Sequence, residues 1–150
     1  MNTLETLCEI AREIFLADFA DNEPQQFTIN LNPVPASRPR VYSNGGVGYG
    51  KKYTEFQKHA VGPCNSFCGR KTAKPVAAFI EHIVQRPKEP SKPYPNGDID
   101  NYDKGPMDAM VKSKLFFEDD VQVVFLISVK RYQKENETPC VHTIWFDFDM

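Results

Sequence analysis

The chain has 150 residues, 41% hydrophobic and 25% charged, with a formal net charge of −2. That is the balance of an ordinary globular protein, large enough to enclose a hydrophobic core. No apolar run approaches the roughly 20 residues that a membrane-spanning helix needs, and no repeat or low-complexity tract is present.

In chain order, residues 3–20 read as an amphipathic helix, with Leu4, Leu7, Ala11, Ile14 and Phe15 at helical spacing. The stretch is acidic and has no basic n-region, so it resembles neither a secretory signal nor a transit peptide, and a cytoplasmic location is expected. Gln26 to Asn32 alternates Phe27, Ile29 and Leu31 with polar residues, the pattern of a half-buried strand that Pro33 and Pro35 end. Arg38 to Gly50 reads as a loop with a turn at Asn44-Gly45-Gly46. Lys51 to His59 has helical character, and Gly62-Pro63 is expected to stop it. Val76 to Gln85 is apolar on both faces and reads as an interior strand. Pro87 to Gly97 is a proline-rich loop. A helix is expected over about 103–114 with Asp103 as its N-cap, placing Pro106 in the first turn. Val121 to Lys130 and Thr138 to Phe148 read as strands. The order α-β-α-β-α-β-β predicts a single domain over 1–150 of α/β (α+β) class, a mixed sheet with helices packed on it.

The charge is unevenly distributed. Residues 1–37 sum to −5, residues 38–74 to +7 and residues 75–150 to −4. The middle third is a basic island of Arg38, Arg40, Lys51, Lys52, Lys58, Arg70, Lys71 and Lys74, against Glu55 alone. Segregated positive charge of this kind suits a phosphate backbone, although a solvated basic surface explains it equally well. Cys8, Cys64, Cys68 and Cys140 read as reduced thiols and small apolar fillers, since the Cys64–Cys68 spacing completes no recognised zinc pattern.

Two acidic clusters bracket Lys104: Asp98-Ile99-Asp100-Asn101 before it, and Glu118-Asp119-Asp120 after it. If Asp98 and Asp100 lie on a strand, their carboxylates share one side and repel unless a proton or cation intervenes. Mg²⁺, with its preference for one or two carboxylates plus water and phosphate oxygens, is the fitting cation. Asp120 is the third expected ligand, with Asp119 facing away if that segment is extended. Lys104 lies one helical turn beyond Asp100, within reach of a phosphate. A Lys104–Asp108 helix pair and a solvated acidic turn are the plain alternatives. The spacing fits neither an EF-hand nor a glycine-rich phosphate loop.

The run Gly97-Asp98-Ile99-Asp100-Asn101-Tyr102-Asp103-Lys104, then Asp108-Ala109-Met110, then Phe117-Glu118-Asp119-Asp120-Val121-Gln122-Val123-Val124 resembles the pattern of the RusA Holliday-junction resolvases. Pro33-Val34-Pro35-Ala36-Ser37-Arg38-Pro39-Arg40 and Tyr49-Gly50-Lys51-Lys52-Tyr53 resemble that family's basic N-terminal segment. The likeness spans roughly residues 27–148. It implies a homodimeric endonuclease that uses Mg²⁺, or Mn²⁺ in its place, to cut four-way DNA junctions by paired symmetric nicks. By motif position it implies Asp98, Asp100 and Asp120 as catalytic metal ligands and Lys104 as the catalytic lysine. Arg38, Arg40, Lys51 and Lys52 are expected on DNA phosphates, and the helix at 3–20, which precedes the usual family start, is expected to serve a dimer or partner. A less selective nuclease of flaps or forks, and a non-catalytic branched-DNA-binding module, remain as rivals.

Overall fold

The computed structural model describes residues 2–14, 23–65, 69, 71–113 and 118–149. Its elements in order are α1 (Thr3–Ile14), β1 (Gln25–Ile29), β2 (Arg40–Val41), β3 (Val47–Gly48), α2 (Lys51–Asn65), β4 (Val76–Val84), α3 (Ile99–Ser113), β5 (Val123–Tyr132) and β6 (Cys140–Asp147). A four-stranded sheet runs in the order β1-β6-β4-β5, and β2 and β3 form a separate antiparallel hairpin. Strand β5 is parallel to β4, with α3 in the connection between them, while β6 pairs antiparallel with both β4 and β1. The mixed α+β architecture with helices on the sheet is the one expected.

Alternation along β4 explains the two cores. Val76, Ala78 and Ile80 pack with Ile29, Val141 and Trp145 against Phe56, Ala60 and Cys64 of α2 and Ala109 and Met110 of α3. Ala77 and Phe79 pack the opposite way, with Ile144, Phe146 and Phe148, against Leu4, Cys8 and Ala11 of α1. Both faces of β4 are therefore covered, which is why its sequence shows no polar alternation. Helix α1 is a layer of the core, and its Leu4 alone stabilises the fold by about 2 kcal/mol through burial. Cys8 and Cys64 fill these cores as thiols, and burial pushes their pKa values up to about 11 and about 12.

Several boundaries differ from expectation. The loop at 38–50 contains the β2–β3 hairpin, closed by Tyr42 and Gly46 backbone pairing with Gly45 at φ +81°. Helix α2 runs through Gly62 and Pro63 to Asn65, because Cys64 is fully buried beyond them and holds the last turn in place. The last third of the helix expected at 3–20, residues 15–20 with Phe15, lies outside the described residues, as do Cys68, Arg70 and Phe117. The two last strands are not neighbours: the chain crosses the end of β4 between them, turning at Asn136 with φ +65°.

The largest correction concerns the acidic segment. Asp98-Ile99-Asp100 is the start of α3 and not a strand. Gly97, at φ +96°, turns the chain, and the Asp98 carbonyl then accepts the Tyr102 amide at 3.3 Å. Carboxylates there oppose the positive end of the helix, so the local electrostatics favour a helix starting at this point. Asp103 is accordingly buried inside the helix instead of capping it.

Candidate active site

Helix α3 carries polar residues on two faces. Asp100, Lys104 and Asp108 recur every four residues and form one stripe. Lys104 Nζ donates to Asp108 Oδ2 at 3.0 Å, so the plain helix pair is present. Asp108 Oδ2 also accepts the Tyr53 hydroxyl at 2.9 Å and Gln57 Nε2 at 3.0 Å, both from α2. The Lys104 ammonium lies 5.5 Å from the Tyr49 ring centroid. Its pKa is raised above the ordinary lysine value, chiefly by the Asp108 hydrogen bond, with Tyr49 and Asp120 adding smaller contributions. Lys104 is thus held as a cation in the midst of acids, half-exposed toward solvent.

Asp120 opens a short 3₁₀ turn, Asp120–Gln122, for which Asp119 is the N-cap; β5 begins only after it. The turn replaces the extended segment expected there, so Asp119 does not face away from Asp120. Their carboxyls interact directly: Asp120 is held above the usual carboxylate range by the Asp119 side chain and by burial. Asp119 is drawn below that range by the Val121 amide and by Asp120. Two carboxyls this close ionise together only with a compensating charge. Asp120 also senses both Asp108 and Lys104 electrostatically, which places the 3₁₀ turn beside the α3 stripe.

Asp98 and Asp100 are exposed on the first turn of α3, where Asp100 Oδ1 accepts the Asn101 amide at 3.0 Å. Among the described residues, no three His, Cys, Asp or Glu side chains converge closely enough to hold a metal ion. The donor set still suits a hard cation in kind: exposed carboxylates at one helix end, and a crowded pair at Asp119–Asp120 whose repulsion a divalent ion would relieve.

The basic segment is tied to this helix. The Ala36 amide donates to the Asn101 carbonyl at 2.8 Å, and the Gly50 amide to Ser37 Oγ at 2.7 Å. Arg38 and Arg40 leave that tether exposed, and Lys51 and Lys52 are exposed on the first turn of α2. No acidic residue accompanies them in that turn. Two cations at the positive end of a helix repel it, and an incoming phosphate would reverse the sign of that interaction.

The opposite face of α3 is fastened to the sheet. His82 Nε2 on β4 meets Asp103 Oδ1 at 2.7 Å, and Ser128 Oγ on β5 donates to the same oxygen at 2.5 Å. An ionised carboxylate can only accept, so this arrangement has the His82 proton on Nε2. Just before the helix, Lys130 Nζ donates to the Pro95 carbonyl at 2.9 Å and to the Gly97 carbonyl. Gly97 is needed here twice over: its φ is positive, and a Cβ would meet Pro35 Cγ at 3.0 Å. Sequence reasoning missed His82, Ser128, Lys130, Tyr53 and Gln57, and took Asp103 for a cap. The Tyr53–Gln57 helical spacing was the sole local sign of any of them.

Among the described residues, no helix is long and apolar enough to cross a membrane. The family model for endodeoxyribonuclease RusA matches residues 30–140, which include the basic tether, α2, α3 and the Asp119–Asp120 turn. No curated protein matches the chain.

Proposed function

The chain belongs to the RusA endodeoxyribonuclease family, and from that premise we propose that it resolves four-way DNA junctions by paired, symmetric, Mg²⁺-dependent nicks. The supporting observation is the stripe of α3: acids and one lysine on a single exposed face, with Asp120 beside it and a basic segment tethered to the same helix. Asp98, Asp100 and Asp120 would hold Mg²⁺, with Mn²⁺ as a substitute. Bound there, the ion supplies a nucleophilic hydroxide near neutral pH and offsets charge on the scissile phosphate.

The chain's own residues do the rest. Lys104, kept protonated by Asp108, presents positive charge where the pentavalent phosphate gains negative charge. Asp108 positions Lys104, and Tyr53 and Gln57 fix Asp108. Arg38, Arg40, Lys51 and Lys52 hold DNA phosphates and set the strand's register without reading sequence. The whole chain, 1–150, acts as one cytoplasmic domain, and a two-fold dimer brings a pair of such sites to a two-fold junction.

The decisive measurement is nicking of a synthetic four-way junction in Mg²⁺, compared with a flap and a linear duplex. Cleavage of the junction, and its loss in Asp100→Asn with binding retained, is the expected result. Cleavage of the flap as readily as the junction, with the linear duplex spared, would establish the flap- or fork-trimming nuclease instead. No three carboxylates converge on one point among the described residues, and this observation favours a second reading, a branched-DNA-binding module without catalysis. Tight junction binding with no scission after long incubation in Mg²⁺ would establish it.

A further inference from the structure

The proline-rich loop between β4 and α3 borders a cleft of about 440 Å³. Its walls include Pro35, Pro95, Asn96, Tyr102, Tyr132 and Arg86. The Arg86 guanidinium carbon lies 5.9 Å from the Tyr132 ring centroid. Both walls are built rather than loose. The Tyr102 hydroxyl donates to the Asn96 carbonyl at 2.7 Å, and Lys130 secures the Pro95 and Gly97 carbonyls. Across the cleft, the Gln85 amide donates to Asn32 Oδ1 at 2.8 Å, and the Arg86 amide to Gln133 Oε1 at 3.2 Å. A seat this well fixed loses little ordering entropy when filled.

Its chemistry is aromatic and cationic. Lys88 and Lys92 are exposed in the same loop and Lys134 is exposed two positions after Tyr132, with Glu89 and Glu135 as the nearby acids in sequence. Arg131 is already neutralised by Glu81 and Glu137. Lys92 lies 5.9 Å from the ring centroid of Tyr94, itself 52% exposed. A flat ring with a guanidinium beside it, prolines at the sides and exposed lysines nearby in sequence matches a nucleobase with its flanking phosphates. The wall residue Asn96 precedes Asp98 by two positions, at most about 7 Å of chain. That distance is about two base steps of a stacked strand, at roughly 3.4 Å each.

We infer that this cleft seats an unstacked nucleobase of the DNA, one or two nucleotides from the phosphate presented to the acidic residues of α3. The inference rests on the nuclease reading above and deepens it: the branch point, where bases unstack most easily, is held by stacking as well as by phosphate contacts. Selectivity for branched over linear DNA would follow from this seat, because a fully stacked duplex offers it nothing.

The test measures equilibrium binding, without divalent metal, of an intact four-way junction and of one with abasic nucleotides flanking the crossover. Tyr132→Leu keeps an apolar side chain and removes the ring. It should weaken binding of the intact junction roughly tenfold, the scale of one base–aromatic stack, and leave the abasic junction bound as by the natural chain. Lys51→Gln, a phosphate contact, should weaken both junctions alike and lower the salt slope by about 0.9. Arg86→Gln, at an exposed position, decides the matter if Tyr132→Leu does not fold. Unchanged affinity for the intact junction, or equal loss on both junctions, overturns the seat. Mg²⁺-dependent nicking by the natural chain is scored separately, so a protein that nicks while Tyr132→Leu and Arg86→Gln bind normally discards the seat alone.

Discussion

The two faces of α3 solve opposite problems with the same residue type. On the inner face Asp103 is buried, and its carboxylate is satisfied by His82 and Ser128. On the outer face Asp98 and Asp100 are exposed, and across from the helix Asp119 and Asp120 crowd each other. A carboxylate removed from water needs partners supplied by the fold, and so it becomes a structural fastener. One left in water next to like charge remains available to a cation or a phosphate-bound metal. The stripe is useful because the inner face keeps the helix still beneath it.

Substitutions can break each face separately. The largest effect is expected on the outer one: Asp98→Asn or Asp120→Asn should lower junction nicking by about 10³-fold or more, with thermal unfolding unmoved within a few degrees. A fall in nicking matched by a fall in Tm would instead assign these residues to the fold. On the inner face, Asp103→Ala leaves the buried His82 without its hydrogen-bond partner and should cost about 1–3 kcal/mol. That is a drop in Tm of about 5 °C for a domain of this size. Thermal unfolding reads it directly, and an unmoved Tm would show that the buried pair does not hold the helix.

A smaller effect tests how closely α2 and α3 approach. A Cβ on Gly105 would meet Phe56 Cε1 at 2.9 Å. Gly105→Ala should therefore destabilise by about 1 kcal/mol, an overpacking cost of about 2 kcal/mol less the helix preference of alanine. Denaturant unfolding measures it, and a stabilised variant would mean that Phe56 swings aside freely. The smallest effect lies far from both faces. Arg131, with the Lys134 amide, lowers the Glu137 pKa from its ordinary 4.5 to about 2. The pKa is depressed on folding, so the stabilisation is present above pH 4.5 and is lost as pH falls toward 2. Glu137→Gln should remove less than about 1 kcal/mol at neutral pH, given solvent screening. Its stability deficit should close on acidification, and a deficit that persists at pH 2 would point to packing in place of charge.

Much of this was legible along the chain. The alternation of Phe27, Ile29 and Leu31, the two-sided apolar run of β4, the turn at Gly45 and the acid–lysine–acid spacing around Lys104 are local patterns. Each reports its own segment without help from the rest. The misreadings were local patterns too, but overruled. Asp98-x-Asp100 has strand-like spacing, yet the turn at Gly97 and the positive end of α3 draw both acids into a helix start. Pro106 suggested a helix beginning near 103, yet the helix passes through it. The burial of Tyr102, Ala109 and Met110 offsets the roughly 3 kcal/mol that an interior proline costs.

By itself the sequence determined the class of fold, the segregation of charge and the acidic and basic residue types of the candidate site, because these depend on composition and short-range period. Only the tertiary structure decided that His82 and Ser128 meet Asp103, that Tyr53 and Gln57 meet Asp108, and that Lys130 holds the loop ahead of Asp98. Those partners lie from 21 to 55 residues apart. No local pattern specifies them, because what brings each pair together is the packing of whole helices on the sheet.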